Sequence, residues 1–127
     1  GTATVCPEFR WIIDGLELDS EPYCEEIFGP VCVVNRFSTE ADAIHLANDT
    51  RYGLNAMLFT ENLSRAHRVA SRLRAGTVWV NCFFIRDLRT PFGGVGDSGV
   101  GREGGNFSRE FFTEPTSVVM QIRRTSD

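Results

Sequence analysis

Pro91-Phe92-Gly93-Gly94-Val95-Gly96-Asp97-Ser98-Gly99-Val100-Gly101-Arg102-Glu103-Gly104-Gly105 places seven glycines within fifteen residues. Glycine lets a backbone turn left-handed and lets another chain approach closely. So many in succession make a poor helix and a poor strand. The segment therefore reads as a shaped loop, with the charged pair Arg102-Glu103 near its end. Two overlapping G-x-G-x-x-G matches lie inside it, Gly94 to Gly99 and Gly99 to Gly104. A dinucleotide fingerprint needs a strand before it, a helix after it and a complete βαβ unit around it. Pro91-Phe92 is no buried strand, and too little chain follows Gly104 for that unit. The glycines read better as a tightly packed loop.

Working outward, the chain alternates strand and helix. Val31 to Val34 is a short β-branched run, read as a buried strand. Thr39 and Asp42 form a capping box that opens a helix running to about Asn48. Ala56 to Phe59 reads as a second strand. Leu63, Ala66, Val69, Ala70 and Leu73 repeat at helical spacing, with Gly76 as the C-cap. Thr77 to Val80 is a third strand. This order implies right-handed crossovers and a parallel sheet. A helical turn is expected near Ser108 to Phe112 and a last strand over Ser117 to Ile122. Residues 1 to 24 read as irregular, with one apolar piece at Trp11-Ile12-Ile13.

With 127 residues and a net charge of −4, the chain is an ordinary soluble α/β domain in size and balance. Both signs are interspersed, so nothing argues for nucleic acid or an anionic membrane. All thirteen basic residues are Arg; no function attaches to the missing Lys. No apolar run nears the ~20 residues of a membrane span. Cys6, Cys24, Cys32 and Cys82 form no C-x-x-C pair, and only His45 and His67 could join them at a metal. The expectation is free thiols in a cytoplasmic protein, with no metal site.

Four strings occur in order: E-E-I-F-G-P-V from Glu25, N-x-x-x-Y-G-L-x-A from Asn48 to Ala56, G-x-V-W-V-N from Gly76 to Asn81, and P-F-G-G-x-x-x-S-G-x-G-R-E from Pro91 to Glu103. Together they resemble the C-terminal part of an aldehyde dehydrogenase, over about Glu25 to Ile122. The resemblance implies an α/β fold: a three-layer partial parallel sheet with crossover helices, plus a C-terminal oligomerisation strand. It divides the chain into an irregular lead (1–24), the later part of a catalytic domain (25–113), and an oligomerisation strand and tail (114–127). It also implies an NAD-dependent oxidation of an aldehyde through a cysteine thioester, with NADP left open beside NAD.

The resemblance assigns residues in turn. Glu26 matches the glutamate that holds the nicotinamide ribose, Phe28 the aromatic against the nicotinamide, and Leu54 the leucine bordering it. Chemically, a carboxylate can accept two bonds from a ribose diol, and a ring can cover a flat heterocycle. A solvated acid beside a core Phe is the alternative. Glu103 matches a glutamate on a proton path that assists thioester hydrolysis; an ion pair or a carboxylate bonded to the loop backbone is the alternative.

Asn81 to Phe92 matches the loop at the mouth of the substrate tunnel. There Arg86 and Arg89 stand among Phe83, Phe84 and Phe92. An Arg fork pairs bidentately with a carboxylate. R-D-L-R-T-P-F-G-G resembles the branch that oxidises 2-hydroxymuconic and 2-aminomuconic semialdehydes, which carry a carboxylate. Candidate substrate residues are therefore Arg86, Arg89, Phe84 and Phe92, Arg86 ahead of Arg89. Pairing of Asp87 with either Arg at the surface is the alternative. Gly96 and Asp97 depart from the family, many of whose members carry Lys at the Gly96 position.

The family's nucleophile lies in a G-Q-x-C string, absent here, and its general-base glutamate and nucleotide domain are absent too. The chain thus reads as a piece of such an enzyme, inactive alone. Its implied partners are the rest of that enzyme, further copies joined through the last strand, and a small aldehyde. A stand-alone, non-catalytic association module is the competing reading.

Overall fold

The computed structural model describes residues 11–122. Cys6, the remainder of residues 1–10 in the N-terminal lead, and residues 123–127 of the tail lie outside that range. The elements in order are β1 (Trp11–Asp14), α1 (Glu21–Cys24), β2 (Val31–Val34), α2 (Glu40–Asn48), β3 (Asn55–Leu58), α3 (Leu63–Ala70), β4 (Thr77–Val80), a 3₁₀ turn (Gly96–Ser98) and α4 (Gly105–Phe112).

The crossover units form as expected. β3 and β4 pair in parallel, with Asn55 opposite Thr77 and Leu58 opposite Val80. Helix α3 bridges them and buries Ala66 and Val69. Trp79 of β4 completes that small core, and Ile44 is the buried residue of α2. The capping box is present: the Asp42 N–H donates to Thr39 Oγ1 at 3.1 Å and the Thr39 N–H to Asp42 Oδ2 at 3.0 Å.

Four features differ from the sequence reading. First, the stretch taken as irregular carries β1 and α1. Trp11-Ile12-Ile13 is short, but its apolar, β-branched character suits a ladder, and β1 pairs in parallel with β2 from Trp11–Val31 to Asp14–Val34. Secondly, the strands form two separate two-stranded parallel sheets, β1–β2 and β3–β4, rather than one. Thirdly, α3 ends at Ala70 with Ser71 as its C-cap. Gly76 instead permits a close backbone approach, since a side chain there would run into the Gly93 carbonyl. Fourthly, residues 117–122 join no ladder among the described residues. Val118, Val119, Met120 and Ile122 stand exposed there.

Among the described residues only Ile44, Ala66, Val69 and Trp79 are buried hydrophobics. Phe37, Phe59, Phe83, Phe111, Phe112 and Val100 are all exposed. Apolar surface on that scale is unusual for a free-standing monomer. No helix among the described residues is long and apolar enough to cross a membrane.

Candidate functional site

The glycine-rich loop is knitted to the rest of the chain through its backbone. The Gly53 carbonyl accepts from both the Gly76 N–H and the Val95 N–H, each at 3.0 Å, and the Gly53 N–H donates to Ser98 Oγ at 3.0 Å. One residue of the Y-G-L turn thereby joins the start of β4 to the loop. Arg102 folds inward and donates to the Gly94 and Gly101 carbonyls at 2.7 and 2.6 Å. It does not pair with Glu103. Phe92 and Glu103 form an antiparallel bridge, with N–H to carbonyl distances of 2.8 and 2.7 Å. The loop is therefore closed at its base, with its two candidate residues facing one another.

Three cavities surround this knot. One of about 360 Å³ is lined by Tyr23, Glu26, Asn48, Leu54 and Ser98 among others. A second of about 370 Å³ lies between Leu54, Phe92, Glu103, Phe111 and Phe112. A third of about 140 Å³ is lined by Trp79, Ile85, Arg86 and Phe92. Leu54 separates the first two, and Phe92 the second from the third.

Glu26 and Leu54, predicted together from sequence, thus share a cavity. Phe28 does not line it: the residue is 94% exposed. Of the three residues assigned to the cofactor, the structure thus brings Glu26 and Leu54 to one cavity and leaves Phe28 in water. The Tyr23 hydroxyl is buried in the same region with no hydrogen-bond partner among the described residues, and burial first, then the nearby Asp49 carboxylate, pushes its pKa above the ordinary value.

Arg86 is the most constrained of the substrate candidates. Its Nη2 lies 2.6 Å from Glu103 Oε1, and its guanidinium sits 4.4 Å from the centre of the Phe92 ring. Ring and carboxylate together favour a planar cation. Its side chain is only 26% exposed. Arg89 is placed differently. It pairs with Asp87 two residues away, its side chain 88% exposed. That is the surface pairing the sequence left open, and such pairs contribute little. Phe84 takes a left-handed φ of 56° and packs 5.9 Å from Trp79 and 5.7 Å from Phe83, ring centre to ring centre.

Sequence reasoning missed the residues that hold these groups. Trp79 Nε1 donates to the Ile85 carbonyl at 2.9 Å, pinning the residue before Arg86. Asn81 bonds both backbone groups of Thr60 at 2.8 Å, tying the ends of β3 and β4. Asn48 accepts from the Arg74 N–H and donates to the Arg72 carbonyl at 2.7 and 2.8 Å. Arg51 bridges Glu25 at 2.6 Å and Asp97 at 3.3 Å. The unusual Asp97 thus has a partner, and Gly96 is required by its φ of 59° and by the Arg51 carbonyl against it. The string G-x-V-W-V-N held this information, because an indole and an amide inside an apolar run need partners.

The model of the Aldehyde dehydrogenase family matches residues 11–118. The chain belongs to that family. Among curated aldehyde dehydrogenases, 2-aminomuconic 6-semialdehyde dehydrogenase of a Pseudomonas species is 55% identical over 91% of this chain and 23% of its own length. The 2-hydroxymuconic semialdehyde dehydrogenase of Pseudomonas putida is 53% identical over 85% of this chain and 22% of its own. Among solved aldehyde dehydrogenases, the P. syringae indole-3-acetaldehyde dehydrogenase, in complex with NAD+ and IAA, superimposes with a TM-score of 0.76. It is 48% identical and covers 81% of this chain and 21% of that one. The chain therefore spans under a quarter of the length of these relatives.

Proposed function

We propose that this chain forms one wall of the active site of a larger NAD-dependent dehydrogenase that oxidises a carboxylate-bearing semialdehyde to the acid. The observation that carries the reading is Arg86. Its guanidinium sits over the ring of Phe92, the residue that borders two cavities, and already holds a carboxylate at 2.6 Å. A site that accepts one carboxylate in this geometry suits another on a substrate. The similarity to muconic semialdehyde dehydrogenases supports the same substrate class. Overall identity alone does not choose it, since a dehydrogenase named for indole-3-acetaldehyde is 48% identical.

In this reading, Glu26 accepts hydrogen bonds from the nicotinamide ribose, while Leu54 and Phe28 border the ring and keep water from it. The relative solved with NAD+ supports that cofactor. NAD, when bound, accepts the hydride released from the aldehyde carbon. The cysteine nucleophile and its base come from the portion of the enzyme outside this chain, through a thioester that water then cleaves. Holding these groups in one place is what turns a slow encounter into a fast step. Glu103 faces the substrate wall and assists the hydrolytic half. The missing portion also completes the three-layer sheet and covers the exposed apolar side chains, which tell against a module that stands alone. Residues 117–122 find their ladder in a neighbouring subunit of a soluble, cytoplasmic oligomer, as unpaired apolar edges require cover.

The test is NADH formation by the full-length enzyme with a six-carbon semialdehyde acid and with hexanal. A clear preference in kcat/KM for the acid supports the reading, and equal values reject the carboxylate assignment.

A further inference from the structure

The Arg86–Glu103 contact has a geometry that bears on selectivity, given the reading of Arg86 above. The two residues lie 17 positions apart, and the Phe92–Glu103 backbone bridge brings them together. Both of that bridge's hydrogen bonds are main-chain, so the Glu103 carboxylate is free to leave Arg86 without opening the loop. Its own side chain is 60% exposed, whereas that of Arg86 is 26% exposed. The guanidinium is thus fixed from below by Phe92 and reached from the open side by a water-accessible carboxylate. Glu103 lines the cavity on one side of Phe92, and Arg86 the cavity on the other.

We infer that Glu103 is an internal competitor for the substrate's carboxylate: it occupies Arg86 in the empty site, and an acidic ligand must displace it to dock. The arrangement keeps the cation paired while the site is empty. It also scales the affinity for every acidic ligand by the fraction of time that Arg86 is free. Neutral ligands, which make no use of Arg86, escape that penalty. The exchange swaps one carboxylate for another on the same guanidinium, so no net charge is buried and no bond is made or broken. Glu103 is in this role a specificity-setting residue, whatever else it does in turnover.

Binding, rather than turnover, isolates the effect. The full-length enzyme with NAD bound is titrated by calorimetry with adipate, an unreactive six-carbon dicarboxylate, and with its neutral diamide. Glu103→Gln keeps both backbone bonds to Phe92 and removes the competing charge. It should tighten adipate by about two- to fivefold, the range set by an exposed ion pair of up to ~1 kcal/mol, and leave the diamide unchanged. Glu103→Asp, which withdraws the carboxylate by one methylene, should tighten adipate by less than Gln does. It decides the matter if the Gln variant does not fold. Adipate affinity that stays constant or falls in the folded variant, or a gain shared equally by the diamide, overturns the inference. Arg86→Ala in the same titration separates the two levels. If it weakens adipate while the Glu103 variants do nothing, Arg86 still receives the carboxylate and only the competition is wrong. If it leaves adipate unchanged, the substrate reading itself falls.

Discussion

A methyl group on Gly76 would overlap the carbonyl of Gly93. Gly76 immediately precedes β4 and Gly93 begins the run of glycines in the loop, so the contact sets how closely the loop lies on the sheet. Both chains meeting there are backbone, and neither can swing aside as a long side chain would. The same point is braced by the Gly53 carbonyl, which holds the Gly76 and Val95 N–H groups.

Gly76→Ala should therefore destabilise the protein by at least about 1–3 kcal/mol, the range for forced overpacking. Gly29→Ala is the control, because its nearest neighbour would be Ile27 Cγ2 at 3.9 Å, an ordinary contact. That change should stay within about 0.5 kcal/mol. Urea denaturation of both variants makes the comparison, and equal effects would mean that the loop does not rest on β4 as described.

The capping box of α2 gives the chain an acid-sensitive element. Hydrogen bonds from Thr39, first from its hydroxyl and then from its backbone N–H, hold the Asp42 carboxyl below its ordinary 3.8. Glu40 is likewise held below 4.5, mainly by its hydrogen bond with Arg68. A lowered folded value means stability that is fully present above the unfolded pKa and lost as pH falls through the folded one. Helix content should hold from about pH 7 to 5 and then decline below about pH 4. In Thr39→Ala the decline should be shallower and the neutral-pH stability lower by about 1 kcal/mol, the usual loss of a cap. Circular dichroism across that range reads both, and an unchanged acid limb in the variant would remove the box from the pH response.

Much of this architecture was legible because it is local. The capping box, the Val31–Val34 and Thr77–Val80 strands and the helical spacing of Ala66 and Val69 depend on neighbours in sequence. What stayed hidden depends on distant partners. β1 is a strand only because β2 lies beside it, and residues 117–122 are unpaired because the chain supplies no partner among the described residues. At the site, Glu26 and Leu54 were legible as types of group in a motif. The Arg86–Glu103 pair was not, since nothing local tells a carboxylate 17 residues away from Asp87 next door.

The 127-residue chain by itself should form no NADH from any aldehyde and should associate as its concentration rises. Phe59, Phe83, Phe111, Phe112 and the apolar tail are exposed, and water-facing surface of that kind seeks cover. Light scattering over a dilution series, alongside the assay, reads both outcomes. A cooperative monomer at high concentration would revive the stand-alone module.

Glu26→Gln in the full-length enzyme should weaken cofactor use by about 1.5–3 kcal/mol, the range for hydrogen bonds to a charged group. Because hydride transfer depends on how the nicotinamide lies, kcat should fall together with any rise in the KM for NAD. The aldehyde KM should move least. Steady-state constants unchanged for both substrates would take Glu26 out of the cofactor site.

The assignment of the substrate rests on Arg86, and one comparison bears on it without intermediaries. The kcat/KM of full-length enzyme and of its Arg86→Ala variant is measured for an acidic semialdehyde and for a neutral aldehyde of the same length. A substrate carboxylate docked on Arg86 and shielded from water would lose about 2–5 kcal/mol of stabilisation with that side chain. The neutral aldehyde should change by less than about tenfold, and Arg86→Lys should restore only part of the acidic activity, because an ammonium keeps the charge without the planar fork. Equal losses for both aldehydes would show that Arg86 holds the Phe92 loop in place rather than the substrate.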